Sequence, residues 1–153
     1  MTATQVQERR SATLPIDVWL AASCASVPKA RRLVRRAVTG RFPDEAADRL
    51  EVVVSELVTN AAKHAGSTGI HLSVTDAWPG ALRIECWDAS AGAPEPVLDQ
   101  AVLAASGDAI NIAELAEDGR GLFLSKALSN VFGCRAERTG KTMISVIDSA
   151  DPR

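Results

Sequence analysis

Ser55-Glu56-Leu57-Val58-Thr59-Asn60-Ala61-Ala62-Lys63-His64 places a carboxylate and a carboxamide four residues apart inside an apolar repeat. At helical pitch the two share one stripe. Leu50, Val53, Val54, Leu57, Val58, Ala61 and Ala65 recur at three- and four-residue steps, which predicts a core-facing surface bordered by Glu56, Asn60, Lys63 and His64. A carboxylate and an amide oxygen on such a border can hold a hydrated magnesium ion and orient a nucleophile beside a nucleotide phosphate. A solvated helix margin produces the same pattern, so its meaning depends on matching pieces downstream.

Two such pieces follow. Leu82-Arg83-Ile84-Glu85-Cys86-Trp87-Asp88 alternates, predicting a strand with Leu82, Ile84, Cys86 and Asp88 on one face and Arg83, Glu85 and Trp87 on the other. If the first face is the core face, Asp88 is an acid at the end of a buried strand, and it needs a donor, because burying it unpaired costs several kcal/mol or forces protonation. An adenine amino group is one candidate, and a turn that ends the strand is another use for the same residue. Farther on, Glu117-Asp118-Gly119-Arg120-Gly121-Leu122-Phe123-Leu124 sets two glycines before an apolar helix predicted to run to about Phe132. Glycines let backbone approach phosphate oxygens, and a helix N-terminus offers free N–H groups and a favourable dipole.

A helix with E-x-x-x-N, a hairpin ending in Asp88-x-Ser90-x-Gly92, a loop, and G-x-G opening a helix together resemble the GHKL ATPase superfamily. Within it, S-E-L-V-T-N-A-x-x-H-A, E-D-G-R-G-L and a late G-K-T are most similar to the bacterial anti-sigma-factor serine/threonine kinases of the RsbW type. The resemblance spans roughly Leu14 to Asp148. It implies an ATP-binding, magnesium-dependent kinase. Its γ-phosphoryl group would go to a serine or threonine of a STAS-type antagonist, and in another state the protein would sequester a sigma factor. By position, Asn60 matches the magnesium-ligating asparagine and Glu56 the glutamate that positions or deprotonates the attacking hydroxyl. Asp88 matches the reader of the adenine amino group, Gly92 the glycine beside the purine, Gly119 and Gly121 the phosphate-cradling glycines, and Thr142 the threonine near the base. Lys63 and Arg120 stand close enough in these motifs to meet phosphate charge. One departure is Ser90, where the family often has glycine; its hydroxyl is expected to bond locally or narrow the purine pocket and weaken nucleotide affinity. A nucleotide-binding regulatory module without catalysis is the alternative. The catalytic domain of a histidine kinase is disfavoured, because the chain carries no dimerisation helix with a phosphoacceptor histidine.

Composition bounds these readings. The 153 residues, 46% of them hydrophobic, suffice for one domain with a core. No apolar run has the length of a membrane span, and Met1 to Thr13 is polar, so a cytoplasmic protein is expected. Three widely spaced cysteines, Cys24, Cys86 and Cys134, fit reduced thiols better than a disulfide framework or a zinc site. The net charge of −2 conceals an uneven distribution: residues 1–50 hold nine Lys or Arg against five Asp or Glu, while residues 85–118 hold eight acids and no base. Arg31, Arg32, Arg35 and Arg36 form i, i+4 pairs on a helix, a solvated face by default and otherwise a surface for an acidic partner protein. No aromatic interleaving accompanies them, which argues against direct nucleic-acid binding. Members of the resembled family often form homodimers, and the first strand with the arginine helix is the expected contact.

The coarse order predicts a strand from Leu14 to Ala22, a helix from Pro28 to Thr39, and the motif helix from Pro43 to about Gly66. Hairpins follow at Ile70 to Thr75 with Ala81 to Asp88, across Trp78-Pro79-Gly80, and at Cys134 to Arg138 with Thr142 to Ile147, across Thr139-Gly140-Lys141. This predicts an α+β fold, a two-layer sandwich of the Bergerat type with helices on one face of a mixed, mostly antiparallel sheet. It would form one domain over residues 14–148 after a flexible segment 1–13. Residues 94–118, with short helices at 97–105 and 109–116, correspond to the family's mobile ATP lid.

Overall fold

Alternating apolar residues build a five-stranded sheet of order β1-β2-β3-β5-β4, formed by β1 (Ile16–Leu20), β2 (Ile70–Trp78), β3 (Ala81–Asp88), β4 (Val131–Glu137) and β5 (Gly140–Asp148). The computed structural model describes residues 14–64, 68–90 and 117–151, the side chains of 117–120 excepted. The expected segments 1–13 and 94–116 therefore lie outside the described residues, as does Gly92. Every strand pairing is antiparallel, so among the described residues the sheet is antiparallel rather than mixed.

Among the described residues three helices join it: α1 (Ser26–Val38), α2 (Asp44–His64) and α3 (Glu117–Leu128). Asp44 and Glu45 in the first turn of α2, and Lys63 and His64 in its last, match the helix dipole at both ends. Leu50, Val53, Val54, Leu57 and Val58 are each at most 2% exposed and share one core with Ala30, Val34 and Val38 of α1 and with Ile70, Leu72, Ile84 and Cys86 of the sheet. Fully burying one such side chain contributes about 1.5–3 kcal/mol, whereas an exposed ion pair contributes about 0–1 kcal/mol. The apolar stripe therefore sets how α2 lies on the sheet.

Some boundaries move. β2 runs on to the exposed Trp78, which pairs with Ala81 beyond an irregularity after Asp76. The second hairpin turns at Arg138-Thr139, one residue early, because Gly140 already pairs with Glu137. α3 stops at Leu128 instead of continuing to Phe132: the Asn130 N–H is taken by the Val146 carbonyl at 2.8 Å, and Phe132 pairs with Ser145 as part of β4. Cys24 is exposed, Cys134 half-buried and Cys86 buried, all as free thiols. Among the described residues no helix is long and apolar enough to cross a membrane.

The arginine face of α1 is not simply solvated. Arg31 donates to Glu51 Oε1 through Nε and Nη2 at 3.1 and 2.9 Å, and Arg35 donates to Glu51 Oε2 at 2.8 Å and to Asp48. Arg32 and Arg36 remain exposed. Burial works against the charged form of Glu51, yet the hydrogen bonds from Arg31 and Arg35 outweigh it and hold the carboxyl below its ordinary 4.5. Protonation is thus harder in the folded chain than in the unfolded one, so the stabilisation is present above pH 4.5 and is lost as pH falls through the lowered folded value. Urea unfolding followed from pH 6 down to pH ~3 should show Glu51→Gln losing less stability on acidification than the native chain. Equal slopes would mean that Glu51 carries none of the acid sensitivity.

Candidate functional site

Helix α2 presents Glu56 half-buried and Asn60 only 7% exposed on one stripe. The Asn60 amide nitrogen is buried without a hydrogen-bond partner. Buried polar atoms are nearly always paired, so an orphan amide beside a carboxylate one turn away marks a place prepared for a ligand. Lys63, one turn beyond Asn60, is exposed.

The direction of β3 relative to α2 brings Asp88 to the same end. Arg49 Nη2 donates at 2.9 Å to the carbonyl of Asp148, the cross-strand partner of Ala81, and Cys86 Sγ approaches the Leu57 carbonyl at 3.7 Å. Strand and helix therefore run the same way, and Asp88 follows Cys86 toward the turns that hold Asn60. Asp88 is fully buried on the core face, as alternation predicts. Its Oδ1 accepts from the Ser90 N–H at 2.8 Å and from the Ser90 hydroxyl, the local bonding expected of that serine. Lys141 Nζ lies 3.4 Å from Oδ2 and donates to Ser90 Oγ at 2.7 Å. The Lys141 contact is an ion pair without hydrogen-bond alignment, since Oδ2 itself has no hydrogen bond. Burial pushes the neighbouring Cys86 thiol up to about 12, the Asp88 charge adding to the shift and the Lys141 charge opposing it. Both charges thus reach the same buried point.

The glycine segment closes the arrangement. Gly119, Arg120 and Gly121 stand within the first turns of α3, which starts at Glu117, rather than ahead of it. A Cβ on Gly121 would overlap Glu56 Oε2 and come within 3.4 Å of Glu56 Cδ, so the glycine is what lets this carboxylate lie against the α3 backbone. The side chain of Arg120 lies outside the described residues.

Thr142 requires a correction. Asp88 pairs with Lys141 and Trp87 with Thr142, so strand parity turns Thr142 to the sheet face opposite Asp88. There its hydroxyl donates to Glu137 Oε1 and, with Arg135, holds the Glu137 carboxyl below its ordinary range. The residue of the G-K-T run that faces Asp88 is Lys141. The signal was legible in principle, because Met143 and Ile147 are the apolar, core-facing positions of the strand and Lys141 shares their parity.

A model of the histidine kinase-like ATPase domain family matches residues 20–147. The chain belongs to this family. An ATPase domain implies ATP as its nucleotide. Among solved structures, this histidine kinase-like ATPase domain is similar to the histidine kinase domain from Erythrobacter litoralis EL346 blue-light activated histidine kinase, at 21% identity and a TM-score of 0.47. The match covers 85% of this chain and 65% of that one. No curated protein matches the chain. The site residues fit a magnesium nucleotide: the Asn60 amide oxygen is a hard ligand that leaves magnesium its waters and phosphate oxygens, and the unpartnered Asn60 Nδ2 is a donor suited to a phosphate oxygen.

Two glycines separate positioning from folding. In Gly140→Ala the new Cβ overlaps the Asp88 carbonyl and lies 2.9 Å from Ala89 Cα, backbone that cannot swing aside, so unfolding in urea should show a loss of about 1–3 kcal/mol. In Gly121→Ala only the end of the Glu56 side chain must move, and alanine favours helix by up to about 1 kcal/mol. Stability should then hold or rise while ATP turnover falls. A neutral Gly140→Ala would show that the strand end yields.

Proposed function

We propose that this ATPase domain is an anti-sigma-type serine/threonine protein kinase. The observation that carries the reading is the carboxylate of Glu56, held against the glycine turn of α3 and one helical turn from the unpartnered amide of Asn60. In this reading that carboxylate serves as a general base beside the phosphates. The S-E-L-V-T-N-A-x-x-H-A, E-D-G-R-G-L and G-K-T runs support the anti-sigma branch. In this reading Asp88 receives the purine, and Asn60 holds magnesium, which neutralises phosphate charge when bound. Glu56 accepts the proton of a serine or threonine hydroxyl as its oxygen attacks the γ-phosphorus and ADP leaves. The hydroxyl belongs to a STAS-type antagonist, and a sigma factor is the second partner, both met in the cytoplasm.

The non-catalytic regulatory module is favoured by one observation, the occupation of Asp88 by Ser90 and Lys141, which a purine must disturb to bind. The two readings separate on turnover. With a cognate STAS domain and MgATP, Glu56→Gln should slow phosphoserine formation by about 10²–10⁴-fold while ATP affinity in calorimetry stays near native. Asn60→Ala should remove the magnesium dependence of binding. Unchanged phosphorylation by Glu56→Gln would sink the kinase mechanism, and nucleotide binding without any turnover in the native chain would leave the regulatory module.

A further inference from the structure

Asp88 and Lys141 face each other across β3 and β5, with side chains 1% and 4% exposed. The ammonium lies 3.4 Å from Oδ2, the carboxylate oxygen without a hydrogen bond. Through Ser90 Oγ, at 2.7 Å from Nζ, it also connects to Oδ1. Two charges withdrawn from water persist only in each other's company, so the lysine is a built part of the site rather than a surface chain folded over it. Gly140, pressed against the Asp88 carbonyl, fixes the point from which the lysine stem starts. Any base that reaches the Asp88 carboxylate also meets the ammonium.

That company changes which purine edge the site accepts. A lone carboxylate accepts from the 6-amino group of adenine and repels the 6-oxo group of guanine. A carboxylate beside an ammonium offers an acceptor and a donor together. Guanine satisfies both, its O6 accepting from Nζ while N1–H and the 2-amino group donate to Asp88. Adenine satisfies both as well, its amino group donating to Asp88 and a ring nitrogen accepting from Nζ. We propose that Lys141 is a specificity-determining residue of the base pocket, and that the Asp88–Lys141 pair admits guanine nucleotides alongside adenine nucleotides. This rests on the reading of Asp88 as the base-recognition residue.

Calorimetry of the native chain with MgATP and with MgGTP tests it. The two dissociation constants should agree within about tenfold, where a site built around an unaccompanied carboxylate would reject GTP by about 10²-fold or more. Lys141→Met should weaken GTP at least about tenfold more than ATP, and Lys141→Arg, which keeps a cationic donor, should preserve the native ratio. A native chain that binds ATP and rejects GTP overturns the proposal and leaves the functional reading standing. A ratio unmoved by Lys141→Met also overturns it. If neither nucleotide binds, both fall together. Should Lys141→Met fail to fold, the native ratio and the arginine variant still decide.

Discussion

A carboxylate taken wholly out of water at the end of β3 has to be answered by the fold around it. The penalty for burying such a charge is several kcal/mol even after relaxation, and Ser90 at Oδ1 and Lys141 near Oδ2, bonded to each other, offset it. Lys141 can do so only in the register that sets it opposite Asp88. That register requires Gly140, since any side chain there would collide with the backbone of Asp88 and Ala89. A slip of one residue would bring Thr142 inward and turn Met143 and Ile147 out of the core. The polar demand of one side chain and the apolar demand of the core therefore select the same alignment.

β5 supports the other half of the site through hydroxyl groups. Ser145 Oγ lies 2.6 Å from Ser129 Oγ, Ser129 donates to the Ser125 carbonyl, and Ser125 donates to the Gly121 carbonyl at 3.0 Å. All three serines are buried. Each such bond contributes only about 0.5–1.5 kcal/mol net, less than one buried leucine, but leaving one hydroxyl unpaired would cost at least as much. The thread thus fixes where α3 sits more than how stable it is, and with it the glycine that meets Glu56. A single strand positions both the residue that accompanies Asp88 and the backbone against which Glu56 rests.

The sequence conveyed the parts governed by period and withheld those governed by register. Three- and four-residue spacing placed Leu50 through Ala61 on one face of α2, and alternation placed Cys86 and Asp88 inward, because both follow from local geometry. The apolar run through Phe132 predicts a longer α3, and only the capture of Asn130 by Val146 shows that the chain has joined the sheet. Lys141 was hidden for a similar reason: its partner stands 53 residues earlier, and the choice between Lys141 and Thr142 depends on one step of strand pairing. The arginines of α1 looked solvated because Glu51 and Asp48, which bind two of them, come from the next helix.

Those arginines also bear on Glu56, the carboxylate proposed as the base. Arg31, Arg35, Asp48, Glu51, Val52, Ser55 and Glu56 line one open cleft of about 420 Å³ between α1 and α2. A general base must stay ionised yet unpaired, and a nearby arginine is the commonest way to lose that condition. Here Arg31 and Arg35 are already committed to Glu51 and Asp48, and among the described residues Glu56 takes no ion pair. The α1–α2 network is therefore charge-balanced, two guanidinium groups against two carboxylates, and leaves Glu56 unclaimed. Removing Glu51 would free Arg31 and leave Arg35 on Asp48 alone, so a residue that looks purely structural also bears on the chemistry proposed for its neighbour.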